Sequence, residues 1–543
     1  MLRLMLGTDW VANREQVLEM IARDVRQEKG GRILMVPELI SHDMERRLCS
    51  AAGDTASRYA QVLSFSRLVR RVAEQQRLAP EKCLDNGGRL VAMAAAARQL
   101  VSKLKSYASV ETRPEFLTGL VDAIDEFKRC CISAEDLMDA AQRSDGTLAQ
   151  KLEELSLLLS CYDGLCAQGK RDPRDQMNWV LEQMECCDFA REHCFYIDGF
   201  PDFTRQHMAI LEHLIRFSDV VTVSLNCDEV NSDQAAFETA GKTAAELVRL
   251  AKNAGVGVEI VTVDPRADER LQYIRQRLFQ GRVQQREDLR GVLSVWRCDS
   301  EYDECMVAAE RIMDLAANGC RYRDIGVVCP DMGSYRAVLE LTFHRCGIPV
   351  YLSGTEDILQ KSAISTVLSA LDAALEGLEQ GSVMRYLKSS LSPLEPETCD
   401  RLENYAYSWG IRGGKWLRPW ELHPGGLGME WMEEDKALLS QLNEARALGV
   451  GPLAALREEF RKAQNLAGQV NAVYAFLERI SLADRLEELA QEADEQGDNP
   501  RAQELLQLWE ILIGALEQLC DVLGTTVWTD EAFVSLLRLL LSQ

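Results

Sequence analysis

Leu2-Arg3-Leu4-Met5-Leu6-Gly7-Thr8-Asp9-Trp10-Val11-Ala12-Asn13-Arg14 is the stretch on which the fold turns. Residues 2–6 are nearly all apolar and predict a short buried strand. Residues 14–25 carry Val17, Leu18, Ile21 and Val25 at helical spacing and predict an amphipathic helix. A strand, a tight loop and a helix N-terminus form the layout of a phosphate cradle, in which backbone N–H groups and the helix dipole face an anion. Counted from Gly7, the spacing of G-x-x-x-x-G-K-[ST] fits. The residues do not: Ala12 stands at the second glycine, Asn13 at the lysine and Arg14 at the magnesium-binding Ser or Thr. The architecture of a nucleotide site is present without its chemistry, unless Arg14 takes a phosphate in place of the lysine.

Outward from this start, residues 32–37 (Arg-Ile-Leu-Met-Val-Pro) predict a second buried strand, followed by a helix carrying Met44 and Leu48. Residues 61–68 predict a third strand that turns into a helix. Two βα units in so short a span imply a parallel sheet. Residues 86–189 then read as almost wholly helical, an insertion between strands of one sheet. Strands return at residues 194–200, 220–225 and 258–261. After a polar linker at 284–290, a second α/β unit is expected: strand 292–296, helix 304–317, strand 325–329, helix 335–346 and strand 348–352. Beyond residue 363 the pattern is helix and loop, with residues 409–416 expected as an exposed turn. The last apolar helix, 533–541, stops without capping residues or a polar tail, so the chain reads as a fragment of a longer protein.

Composition narrows the class. Hydrophobic residues make up 47% of the 543, enough for large cores. No apolar run approaches the roughly 20 residues needed to span a bilayer, and Asp9 interrupts any signal-peptide pattern at the start. The 17 cysteines are scattered, with no C-x-x-C pair, which suits reduced thiols in a cytoplasmic protein. The net charge of −24, taken as a whole, argues against a nucleic-acid partner. Its distribution weakens that argument. Residues 1–74 hold 12 Lys or Arg against 10 Asp or Glu, whereas residues 421–510 hold 8 against 18. The acidity belongs to the C-terminal helices. The six histidines do not cluster with Cys or acidic residues, and His207 and His213, six apart, do not share a helix face, so no metal site is expected. Gly241-Lys242-Thr243 imitates the end of a phosphate loop, but Ala236 stands where its first glycine is required, and the surroundings read as an ordinary helix start.

The ordered motifs are the strand–loop–helix start, Val-Pro-Glu at 36–38, Ser-Phe-Ser-Arg-Leu at 64–68, Tyr-Ile-Asp-Gly-Phe at 196–200 with Phe203, Thr204 and Gln206, Tyr-Arg-Asp-Ile-Gly-Val-Val at 322–328 and Gly-Ile-Pro-Val-Tyr at 347–351. Together they resemble the AddB (RexB) family, the B-type partners in bacterial ATP-dependent helicase–nucleases that process double-strand breaks. The resemblance implies two UvrD/RecA-like parallel-sheet cores, the second incomplete, each with a large helical insertion. Residues 1–74 plus 190–288 would form the first core, 75–189 its insertion, 289–372 the start of the second core and 373–543 the second helical part. The family's nuclease part and its iron–sulfur cysteines would lie outside this sequence, so no cofactor is expected here, although the family uses ATP and magnesium.

The same resemblance implies what the site does. In a UvrD-like motor, an Asp and a Glu at the end of a core strand hold magnesium and position water. Here that strand ends Asp198-Gly199, so Gly7, Ala12, Asn13, Arg14 and Asp198 would be a nucleotide-site remnant. Single-stranded DNA crosses the strand ends in such folds, which makes Ser41, Ser64, Phe65, Ser66, Arg67, Arg70, Phe200 and Phe203 the DNA-binding candidates, Phe65 as a base-stacking ring. Family members commonly show Val-Pro-x-Gln-x-Thr where this chain has Leu39 and Ser41, and leucine makes no base-edge hydrogen bond. The implied function is a non-hydrolysing component that scans single-stranded DNA for the recombination hotspot Chi. Its expected partners are DNA ends and an AddA-type helicase–nuclease, with which it would form a heterodimer, and no membrane. An active ATP-dependent helicase and a protein-only helical scaffold are the alternatives.

Overall fold

The structure is a computed structural model and describes residues 1–53, 55–78, 83–107, 115–167, 171–266, 268–277, 284, 286–352 and 358–542. Its centre is one six-stranded, wholly parallel sheet: β1 (Leu2–Leu6), β2 (Arg32–Met35), β3 (Ala60–Leu63), β4 (Cys194–Ile197), β5 (Val221–Leu225) and β6 (Val258–Thr262), in the order β3-β2-β4-β5-β1-β6. The period of two along each strand divides the apolar residues between two cores. Leu2, Leu4, Leu6, Ile33, Met35, Phe195, Ile197, Val221 and Val223 face one side. Met5, Leu34, Val36, Val62 and Tyr196 face the other.

Helices cover both faces. Val17, Leu18, Ile21 and Val25 of the Trp10–Arg26 helix and Met44 and Leu48 of the Ser41–Ala52 helix close the Met5 side. The Phe65–Gln75, Gln176–Glu185, Arg205–Phe217 and Glu238–Asn253 helices close the opposite side. Three of the helices that leave the carboxyl ends of strands are N-capped by side chains: Asp9 accepts from the Val11 N–H, Ser64 from Arg67 and Thr204 from His207. The cap residues therefore fix where each strand-end loop stops.

Between β3 and β4 the described residues contribute no strand to this sheet. The helices here (Asn86–Gln99, Glu115–Arg129, Ala134–Gln142 and Gly146–Ala167) stand off it. They are tied internally by a buried charge network. Arg89, 3% exposed, pairs with Asp125 and lies 3.4 Å from Asp172, which is itself fully buried and accepts from the Tyr162 hydroxyl at 2.6 Å. Lys128 reaches Asp175 at 2.7 Å and Asp163 at 2.8 Å.

The helices of residues 86–167 and those of residues 363–541, expected in two separate helical units at 75–189 and 373–543, share a single core, whereas Val180, Met184 and Phe189 of the first unit belong to the core of the sheet. One continuous cluster of buried side chains runs from Leu90 through Cys166 and from Ala363 through Leu541. The Asn86–Gln99 helix packs on the Asn499–Leu523 helix. Gln518 donates to Asp85 at 2.6 Å, and the Arg98 guanidinium lies 5.3 Å from the Trp528 ring.

Two expectations need correction. In the second α/β unit the Glu301–Ala317 and Met332–Arg345 helices form and pack around Ile312, Leu339 and Phe343. The segments 292–296, 325–329 and 348–352 carry no ladder pairing, so this unit has no sheet among the described residues. An extended segment becomes a strand only against a neighbour, and Val295, Val328 and Tyr351 are 89–94% exposed. Residues 409–416, expected as an exposed turn, are one only in part: Gly410, Arg412, Gly414 and Lys415 are exposed, while Ile411 and Trp416 turn inward. Trp416 is fully buried in the helical core, and Trp420 stacks on Tyr405 at 4.6 Å, because two large indoles bury more apolar area than any loop surface would leave to water. No helix among the described residues is long and apolar enough to cross a membrane.

A closed phosphate cradle beside a candidate nucleic-acid interface

The loop after β1 is stitched shut by its own side chains. Asn13 is 1% exposed, and its Nδ2 donates to the carbonyls of Gly7 at 3.0 Å and Leu225 at 3.1 Å, joining the ends of β1 and β5. A Cβ on Gly7 would collide with Asn13 Oδ1, so the glycine is required by the asparagine rather than by a ligand. Oriented to donate, the Asn226 amide reaches Gly7 O at 3.1 Å and Thr8 O at 3.3 Å. An acid already occupies the helix N-terminus, where Asp9 caps the helix, accepts from Arg266 N–H at 3.1 Å and lies 3.5 Å from Arg275. Burial pushes the Asp9 carboxyl up, but Arg275 and the N–H groups of Ala12, Val11 and Arg266 outweigh it and hold the group below the usual range.

Arg14 is held by an acid at the end of β4. Its Nε donates to Asp198 Oδ2 at 2.9 Å with both side chains nearly out of water, and its guanidinium lies 4.9 Å from the Trp10 ring. Gly199 has φ +87 and packs against Pro37 and Ile40, where an ideal Cβ would stand 3.2 and 3.1 Å away. The residues present do not fit a magnesium nucleotide. Asp198 is neutralised by Arg14 and Asp9 is taken by the helix N-terminus and Arg275, Ala12 is buried, and the glutamate position is a left-handed glycine. Among the described residues no group of three or more His, Cys, Asp or Glu side chains is placed to hold a metal ion. Lys242, of the imitation phosphate loop, is an exposed helical residue paired with Glu238.

The ends of β2, β3 and β4 form a second cluster beside this one. Its hub is Glu38, which opens the short turn Glu38–Ile40 and which sequence reasoning did not single out as a site residue. Glu38 accepts from Ser64 and from Ser66, the latter at 2.5 Å, while Arg67 lies 3.4 Å from Glu38 and donates to Glu45 at 2.8 Å. The hydroxyls of Ser64 and Ser66, opposed by partial burial and helped by Arg67, hold the Glu38 carboxyl below the usual glutamate range. A carboxylate thus occupies the hydroxyls of Ser64 and Ser66 and lies beside the Arg67 guanidinium. Beside it Leu39 is 96% exposed.

The DNA candidates separate by position. Ser66 and Arg70 are exposed and Arg67 is partly so. Ser64 and Ser41 are each 3% exposed with inward bonds, Ser41 donating to the Glu38 carbonyl at 2.8 Å. Phe65 departs from its expected base-stacking role: it is 5% exposed, with one face stacked on His207 at 3.9 Å and Phe200 edge-on at 5.5 Å. At a strand end leading into a helix, the ring points back into the sheet core, where it packs with Leu68 and Val72. Phe200 and Phe203, half-buried and 5.3 Å apart, rest on it. Burial against these rings pushes the His207 pKa down to about 4, aided by Arg129 and opposed by Asp202.

Comparison with known proteins places the chain. Residues 4–276, half of the chain, match the family model "ADDB, N-terminal", and the chain belongs to that family. Among curated proteins it is similar to the B subunit of the ATP-dependent helicase/deoxyribonuclease of Clostridium acetobutylicum, 26% identical over 532 residues, covering 95% of this chain and 46% of the relative. The protein of the same name from Acetivibrio thermocellus is 26% identical, covering 93% and 46%. That from Clostridium perfringens is 27% identical, covering 94% and 46%. The chain spans a little under half the length of these curated relatives.

Proposed function

We propose that this chain is the helicase-like part of a DNA end-processing helicase–nuclease, on its B-type side, and that it holds single-stranded DNA without hydrolysing ATP. The observation that carries the reading is the adjacency of two strand-end clusters. One is sealed by Asn13 and the Arg14–Asp198 pair. The other opens Ser66, Arg67 and Arg70 to solvent along one helix. Phosphoryl transfer needs cations and a metal ligand positioned on the phosphates, and a non-translocating strand holder needs only hydroxyls, arginines and stacking surfaces. In this reading the parallel sheet is the first motor-like core, residues 289–372 begin a second, and an AddA-type helicase–nuclease in the cytoplasm completes the machine.

Sequence readout, including any search for Chi, would fall to the loops after β2 and β3. Leu39 offers those loops an apolar tip in place of an amide. The test pairs two measurements on the 543-residue chain: phosphate release with and without single-stranded DNA, and oligonucleotide affinity across a salt series. The reading expects no turnover and a steep fall of log affinity with log salt. DNA-stimulated turnover would restore the active-helicase alternative. A lack of DNA binding would favour a protein-only scaffold, to which the acidic C-terminal helices are suited.

A further inference from the structure

The Phe65–Gln75 and Gln176–Glu185 helices lie side by side on the sheet. Between them opens a cleft of about 230 Å³ whose walls include Ser66, Arg70, Ala73, Arg171, Gln176 and Trp179. Trp179 is half-buried, with part of its ring against the sheet core and the rest lining the cleft. In a chain of net charge −24, none of the described residues lining this cleft is acidic, and two are arginines. Ser66 belongs both to this cleft and to the Glu38 cluster, and Arg70 follows it one turn along the same helix face.

We infer that this cleft seats one nucleotide of the DNA strand, its base against Trp179 and a flanking phosphate on Arg70. The inference rests on the reading that this side of the sheet carries single-stranded DNA. Three features select a nucleotide. The cleft is small, it sets one indole surface beside the Arg70 guanidinium, and it adjoins the exposed Ser66 of the Glu38 cluster. Bases splayed from a single strand stack on aromatic rings and on arginine planes, and phosphates take charged donors. Gln176 gives its amide N–H to Cys83 at 2.7 Å, which leaves the amide oxygen as an acceptor for an exocyclic amine. Trp179 thereby takes the stacking role that the buried ring of Phe65 does not fill.

The experiment uses the 543-residue chain and single-stranded oligonucleotides carrying one 5-iododeoxyuridine at each position in turn. They are photo-crosslinked, and the attachment site is mapped by mass spectrometry. Crosslinking to Trp179 is expected. Trp179→Ala should lower affinity about 5- to 150-fold, with Trp179→Phe retaining most of it, and Arg70→Gln should lower the salt slope by about one. Thermal melts run beside the binding curves separate lost affinity from lost folding, and the crosslink map of the unaltered chain needs no variant to fold. Crosslinks confined to residues 38–41 and 64–67, with full affinity in Trp179→Ala, would overturn the cleft and leave the DNA reading intact. No binding of any oligonucleotide would overturn that reading and the inference with it.

Discussion

Arg14 and Asp198, 184 residues apart in sequence, meet at 2.9 Å at the carboxyl end of the sheet, their side chains only 11% and 6% exposed. The pair joins the first helix to the end of β4 and leaves neither group for a ligand. Removing one partner strands a buried charge, which costs about 3–5 kcal/mol, whereas replacing both with apolar groups of similar volume is often neutral. Asp198→Ala is expected to lower the urea midpoint sharply and Arg14→Met/Asp198→Leu to restore most of it. Equal losses in the single and double variants would show that the pair does not act as a unit.

Glu38 predicts a gain of function. Its carboxylate occupies the donors of Ser64, Ser66 and Arg67. A negative charge about 4 Å from a phosphate repels it by about 1 kcal/mol in water. Glu38→Gln should therefore tighten single-strand binding roughly 5-fold. Glu45→Gln is the control, because it removes the same charge and the 2.8 Å partner of Arg67 without touching either serine. Equal gains in both variants would reduce the effect to net charge.

The same carboxylate sets an acid limit. A glutamate whose pKa is depressed on folding contributes stability that is present above its ordinary pKa of about 4.3 and is lost as pH falls through the folded value. The Glu38 cluster should thus stay assembled at pH 5. Protection of the Arg67 amide from hydrogen exchange, compared between pH 7 and pH 5, is expected to be unchanged once intrinsic rates are corrected.

His207 acts over a higher window. Burial pushes its pKa down to about 4, so between about 6.5 and 4 the unfolded chain binds the proton and the folded chain does not. Stability is complete above that window and declines as pH falls through it, by at most about 3 kcal/mol. His213, pushed down mainly by its own burial, adds in the same direction. His207→Phe should flatten the pH dependence of the urea midpoint between pH 7 and 4 in part. An unchanged slope would mean that the ring is not held neutral against Phe65.

Arg89 is expected to be the most sensitive residue of the insertion. It faces Asp125 and the fully buried Asp172, which without it keep only Arg174 at 2.7 Å and Lys128 at 3.7 Å, so Arg89→Ala should cost about 3 kcal/mol, the lower end for a broken buried pair. Far-ultraviolet melts are the check. A loss below about 1 kcal/mol would show that Lys128 and Arg174 carry the network alone.

The sheet was legible because most of its strands are short, largely apolar runs ended by a turn residue, and the helical excursion after residue 86 because its alanines and leucines repeat at helical spacing. The departures at Ala12, Asn13 and Arg14 were legible because phosphate loops fix residue types at fixed spacing. Glu38 was not, since its partners lie 26 and 28 residues away on another loop and no local pattern encodes that meeting. Nor was the inward turn of Phe65, because an aromatic residue at a strand end has the same sequence whether its ring meets a base or a histidine. Trp416 misled for a related reason: glycines beside a tryptophan suggest a surface turn, yet the ring closes a core built by helices far away in sequence.

The single helical core has a consequence for biosynthesis. About two hundred residues separate Cys166, the last buried contribution of the inserted helices, from Ala363, the first of those that cover them. At about 5–20 residues per second, the ribosome leaves that apolar face uncovered for roughly 10–40 s. From the completion of β6 at Thr262 the β1–β6 sheet has all its strands, while the inserted helices still have no mate. A nascent chain arrested between residues 276 and 363 would therefore be a client for holdase chaperones, and a gene fragment cut at the end of the family match would encode an aggregation-prone half-body rather than an excisable module.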